Sequence, residues 1–475
     1  MTPNKNAYNH PGIAQTLAYE TAEMFHDESI EDRGAHDEFT QAYVRFMDNE
    51  PKPIPLFVPA NAAEQKQLFL SGQIDAPDHQ YARLDTLDFE VAQQNLAMEG
   101  ESILRTLDTD TKHYDAYAGV IEDYRKKTAF LQAAHDYKHA LSPEDRDEAR
   151  QRYMAWNIEL YGAPEETVYR ALLGEKLANI ANKQFVGRAA ELRDELSQLL
   201  PVADTAETAG YFTPSQETVD WAHEVTNALY GLMLDRVPKQ EVFTASEVRT
   251  VFADILHEEF GASADGWQVV LGEAKSINVR TPDKEIIIPA DRKPMSYSQL
   301  RKLVGHELGV HVLRSITGES TDVTPLRYGT AEYYDADEGL GVVVEQALEG
   351  KYRTAGVPYY ILAGAAYHEG KSFRDLFEMQ WRLSALETLQ TEDITEEQIE
   401  TKRSAAYGSV MRIMRGTDEL PWFKDLAYFN GANDMWKHLE EIRGDTEQFM
   451  YVLAGGKINP LSHKERQFAY EAKTA

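Results

Sequence analysis

The chain of 475 residues contains no cysteine. This excludes disulfides, thiolate metal sites and a cysteine nucleophile, so any metal has to sit on histidine and carboxylate. Long apolar runs are also missing. No window approaches the roughly 18 consecutive apolar residues of a membrane span, and the opening MTPNKNAYNHPGIAQ has no apolar stretch of the secretory kind. Cytoplasmic is therefore the default location. Basic residues are scarce, with Lys plus Arg at 48 against Asp plus Glu at 79 and a net charge of −31. A surface this acidic repels nucleic acid and anionic lipid, so neither is expected as a partner. No fixed-period repeat is found.

What is present suits a soluble globular protein, since 43% of the residues are hydrophobic. A chain of this length exceeds what one core usually serves, so two regions are expected. Residues 1–240 are mostly helix-patterned and charged, as in VIEDYRKKTAFLQAAHDYKHAL, and Ser142 with Pro143 reads as a helix start. The character changes near residue 267, where WQVVL, SINVR and EIIIP are short and β-branched, with TPDK as a turn between the last two. A small sheet ending in a hairpin follows. Ser296 with Gln299 three residues later then opens a helix through a capping box. The expected class is α+β, mainly helical, with a helical region over 1–240 and a catalytic domain over 241–475.

That helix carries LRKLVGHELGVHVLR (300–314). Leu300, Leu303, Val304 and Leu308 form its apolar stripe, and Glu307 and His311 fall on the same face. One histidine on such a face is more often a hydrogen-bonded core residue than a ligand; two histidines and a glutamate together reverse that preference. The spacing is HExxxH, one residue longer than the HExxH of zinc peptidases. In a regular α-helix the side chains of His306 and His311 would point roughly 140° apart, which one ion cannot accept. A π-type turn brings them back to within roughly 50°. The spacing predicts such a turn, eased by Gly305 and Gly309.

A catalytic zinc wants three protein ligands and an open position for water. The third is sought in YYDADEGLGVVVEQALEG (333–350). Glu338 is favoured because DEGLG is similar to the NEG segment that carries the glutamate ligand in many HExxH peptidases, with Gly339 and Gly341 permitting close backbone approach. Asp335, Asp337 and Glu345 remain rivals. Other signals are weaker. His135 and His139 lie at i, i+4 and could chelate a metal, but no acid base accompanies them; HEEF at His257 lacks a second histidine; AGGKI lacks features of a phosphate loop. The acidic run 26–38 reads as a solvated face.

Several segments in this order resemble one family: RKLVGHELGVHVLRSITGE, DEGLG, SFRDLF, MRIMRG, FKDLAYFNG and LAGGK. Together they resemble the tyrosine carboxypeptidases, which include the eukaryotic microtubule-associated enzymes and bacterial flavohemoglobin expression-modulating QEGLA motif proteins. The resemblance covers roughly 265–465. It implies a zincin-like metallopeptidase fold, one zinc ion per chain on His306, His311 and Glu338, and Glu307 as the catalytic base. Asp337 and Gly341 stand where the QEGLA motif has Gln and Ala, which bears on substrate and leaves the ligands intact.

The expected activity is removal of a C-terminal aromatic residue, Tyr or Phe, from peptides or proteins. Glu307 would take a proton from a zinc-activated water and pass it to the leaving amine. Tyr328, Tyr334, His368, Tyr407 and Tyr428 are candidate oxyanion donors. A free carboxylate suits a guanidinium fork, and Arg412, Arg415, Lys424 and Tyr428 form a polar cluster for it, although each arginine alone is more often a salt-bridge partner. The alternatives are an aminopeptidase or endopeptidase on the same site, and a regulatory zinc-binding protein without turnover, against which the intact Glu307 argues. Acidic tubulin tails are an unlikely substrate for a chain at −31.

Overall fold

The computed structural model describes residues 33–107, 112–200, 210–274, 276–321 and 323–470. The opening stretch and the acidic run up to position 32 lie outside the described residues. The architecture is α+β and mainly helical, and among the described residues two small sheets are confined to 242–296. Among the described residues no helix is long and apolar enough to cross a membrane.

Local chemistry sets the helix starts. The Ser142 side chain accepts from the Asp145 amide, and Pro143 occupies the first turn, where a missing N–H costs nothing, of helix Pro143–Tyr161. Ser296 and Gln299 cap reciprocally at the head of helix Tyr297–Leu303.

The strands are β1 (Val242–Phe243), β2 (Gln268–Gly272), β3 (Asn278–Arg280), β4 (Glu285–Pro289) and β5 (Met295–Ser296). β1 pairs antiparallel with β5. The larger sheet has the order β2-β4-β3, with β2 parallel and β3 antiparallel to β4. β3 and β4 form the expected hairpin, whose turn puts Lys284 at φ 50. Central β4 is covered on both faces, so Ile286, Ile287 and Ile288 are all buried and its sequence does not alternate. The order leaves β3 as an edge.

Among the described residues, each of the five hydrophobic cores draws on both sides of residue 240. In the main one, helix Gln216–Asp235 contributes Val225 and Leu229 beside Ile288, Leu308, Leu340 and Trp436. In another, Phe57 and Phe130 surround Trp422, with Phe57 edge-on at 5.2 Å. The transition from helices to strands near 240–267 is thus a change of element type across shared cores.

Candidate metal centre

The histidine-bearing helix begins as α over Tyr297–Leu303, becomes π over Val304–Val312, and returns to α over Leu313–Glu319. The wide turns lie where the HExxxH spacing needs them. They bring the rings of His306 and His311 to a centroid separation of 4.9 Å. Widening also displaces carbonyls from the regular ladder, and the Tyr230 hydroxyl donates to the Gly309 oxygen at 2.6 Å.

Helix Tyr333–Glu349 packs across this segment and against helix Ala427–Glu441. Two glycines allow the approach. A Cβ at Gly339 would lie 2.1 Å from the Gly431 carbonyl carbon, and one at Gly341 would lie 2.6 Å from His306 Nε2. The approach brings Glu338 to the histidines, and ligand atoms of His306, His311 and Glu338 lie within 4.8 Å of one another.

The remaining acids orient the rings. Glu345 Oε1 accepts from His306 Nδ1 at 2.7 Å, and Asp337 Oδ2 accepts from His311 Nδ1 at 2.8 Å. Both Nε2 atoms are thereby left as lone-pair donors, the carboxylate–histidine arrangement found behind metal ligands. Electrostatics agree with a cation here. Burial disfavours a charged His306, yet Glu345, Glu307 and Glu338 raise its pKa to about 9, so the pocket draws positive charge to this spot. Two imidazoles, one carboxylate and oriented rings fit zinc.

Glu307 is buried on the same helix. Burial raises its pKa, against the pull of His306 and His311, which suits a group that must accept and release a proton. Asp337 is in the opposite position. Burial would raise its carboxyl, but Lys457, His311 and Arg314 hold it well below the usual carboxylate range.

The anticipated carboxylate-binding residues gather around Asp425, with unequal freedom. Arg412 is held in a two-pronged pair by Asp425, at 2.7 and 2.8 Å, between the rings of Tyr359 and Tyr428. Its fork is therefore committed. Arg415 stacks on Trp422 at 4.8 Å and has a buried Nε without a hydrogen-bond partner. Lys424 is buried and donates to the Tyr334 hydroxyl; burial lowers its pKa to about 8, against Asp425 and Glu338. Tyr428 and Tyr334 have pKa values raised by burial and then by the charge of Glu338. Of the other oxyanion candidates, Tyr407 meets His79 and His368 meets the Pro164 carbonyl.

A cleft of about 1660 Å³ opens beside this cluster. Tyr333 and Tyr334, one turn before Glu338, line it together with Lys424, Lys457 and the edge strand β3; the three metal-binding candidates do not. Sequence reasoning passed over Arg314, Lys457 and Arg292. Arg314 is fully buried and bonds Asp337 and the carbonyls of Gly456 and Ile458. Arg292 lies close enough for the charge of Glu307 to oppose the burial that lowers its own pKa. Only the position of Arg314, three residues after His311 on the same helix, could have drawn attention to it.

A family model described as microtubule-associated tyrosine carboxypeptidase matches residues 209–465, from helix Gln216–Asp235 past Lys457. No curated protein and no solved structure matches. The match spans more than half of the chain and encloses the π segment, DEGLG and the Asp425 cluster, so the chain belongs to the microtubule-associated tyrosine carboxypeptidase family.

Proposed function

We propose that the chain is a zinc-dependent carboxypeptidase of zincin-like form that removes a C-terminal aromatic residue, with His306, His311 and Glu338 as ligands and Glu307 as general base. The observation that carries this reading is the convergence of the three ligand atoms across a π segment, with Glu307 buried beside them. Zinc would supply activation of water and polarisation of the scissile carbonyl. Glu307, raised by burial, would hold the proton between water and leaving amine. Tyr334 and Tyr428, whose pKa values the charge of Glu338 helps to raise, are the hydroxyl donors we assign to the developing oxyanion. The unpaired Nε of Arg415 and the Lys424 ammonium offer positive charge for the terminal carboxylate. An extended peptide could pair with the edge strand β3, whose residues Asn278, Val279 and Arg280 line the cleft.

Exclusion of tubulin on net charge finds no support in the family description, which names microtubules. The cleft lining is also far less acidic than the whole chain, with eight basic against nine acidic side chains where the chain has 48 against 79. Tubulin C-termini therefore belong in the substrate panel.

The test combines metal analysis with matched peptides ending in Tyr, Tyr-amide, and Tyr behind an acetylated N-terminus. Stoichiometric zinc, cleavage of the free acid, indifference to acetylation and a large loss on amidation are expected. Equal cleavage of the amide would replace the carboxypeptidase with an endopeptidase, sensitivity to acetylation would favour an aminopeptidase, and zinc binding without cleavage would leave a regulatory protein.

A further inference from the structure

We propose that Asp85, His135 and His139 form a second metal site, for a divalent transition ion, in the helical region that precedes the family match. His135 and His139 are one turn apart on helix Lys112–His139, with ring centroids 4.5 Å apart. The carboxylate beside them in sequence, Asp136, lies 3.6 Å from His135 Nδ1, is paired with Arg152 at 3.0 Å and does not join the cluster. The fold brings one from elsewhere: Asp85 ends the short helix Ala82–Asp85, and its Oδ1 lies 3.0 Å from His139 Nε2. Ligand atoms of the three residues lie within 4.8 Å of one another, as in the His306 cluster.

Ion pairs of His139 with Asp85 and of His135 with Asp136, the latter at 3.6 Å, account for the contacts taken singly and not for the convergence of three donor atoms on one spot. His135 is positioned independently, half-buried with its ring 5.5 Å from that of Phe89. The adjacent cation, Lys138, turns away to Asp418 and the His79 carbonyl, so it does not neutralise Asp85. His139 is also the last residue of its helix, where the backbone dipole favours positive charge. Metal–nitrogen and metal–oxygen bonds of about 2.0–2.2 Å place donor atoms roughly 3–4 Å apart, so small side-chain rotations close the present arrangement. Two imidazoles with one carboxylate suit zinc, nickel or copper and disfavour calcium and magnesium. The half-exposed position leaves room for water to complete the shell. A bound ion would tie helix Ala82–Asp85 to helix Lys112–His139, both of which contribute to the core around Trp422.

The site is tested on the full chain by equilibrium dialysis against zinc with metal analysis. Wild type is expected to bind two ions, and His139→Ala and His306→Ala one each, with the peptidase activity of His139→Ala unchanged. Asp85→Asn keeps both histidines and should weaken the second ion at least tenfold. In the His306→Ala background, zinc should raise the melting temperature, and adding His139→Ala should abolish that rise. A single ion in the wild type, two ions in His139→Ala, or undiminished affinity in Asp85→Asn would overturn the site. Because His306→Ala isolates it, failure here leaves the proposed peptidase centre untouched.

Discussion

Asp337 accepts from His311 Nδ1 at 2.8 Å with one carboxylate oxygen and from Arg314 Nη1 at 2.6 Å with the other. Lys457 adds a bond of 3.0 Å to the first oxygen. One carboxylate thus aims an imidazole and neutralises two buried cations.

Replacing Asp337 by asparagine keeps the shape and removes that charge. Metal affinity should fall about 10- to 100-fold, as for other groups behind a ligand, and stability by about 3–5 kcal/mol, because Arg314 and Lys457 lose their counter-charge. The sign with pH follows: a carboxyl held low contributes stability above its unfolded value of about 3.9 that is lost as pH falls toward the folded value. Denaturant titrations should show the variant's deficit undiminished from pH 7 down to about pH 4 and shrinking only below about pH 3.9.

Glu338→Ala should weaken zinc far more than Glu345→Ala, since only the former would remove a metal bond. Competition with a chromogenic chelator measures both. A greater loss in Glu345→Ala would reassign the third ligand.

Glu307→Gln should retain zinc and the melting temperature while turnover drops by several orders of magnitude, because the base is lost and the ligands stay. Loss of stoichiometric metal in this variant would make Glu307 a ligand.

Gly339→Ala should destabilise the fold by at least the 1–3 kcal/mol typical of overpacking, because its Cβ meets backbone, which cannot rotate away. Calorimetry checks this, and an unchanged midpoint would mean that the two helices are less closely apposed.

Lys424 carries charge below its pKa of about 8 and loses it above. If it helps to bind the substrate carboxylate, kcat/KM should fall as pH rises through that region, mainly through KM. Lys424→Arg should move this limb upward by keeping the charge. A limb that stays in place would assign it to another group.

Much of the centre was readable in the chain itself. HExxxH on an apolar stripe demanded a wide turn, because 3.6 residues per turn sends His306 and His311 apart, and the residues 304–312 form one. The strands around EIIIP and the caps at Ser142 and Ser296 were equally local, set by side-chain shape and by amides that need an acceptor. Tertiary structure decided which acid meets which histidine. Asp337, Glu338 and Glu345 share one helix, and the close crossing of that helix over the π segment, at Gly341 against His306 and Gly305 against Leu348, separates the acid facing both histidines from the two behind them. It also decided that Arg412 is held by Asp425, and that Asp85 meets a histidine pair some fifty residues along the chain. Periodicity reports which residues share a face of one element; meetings between elements depend on packing that no local pattern encodes.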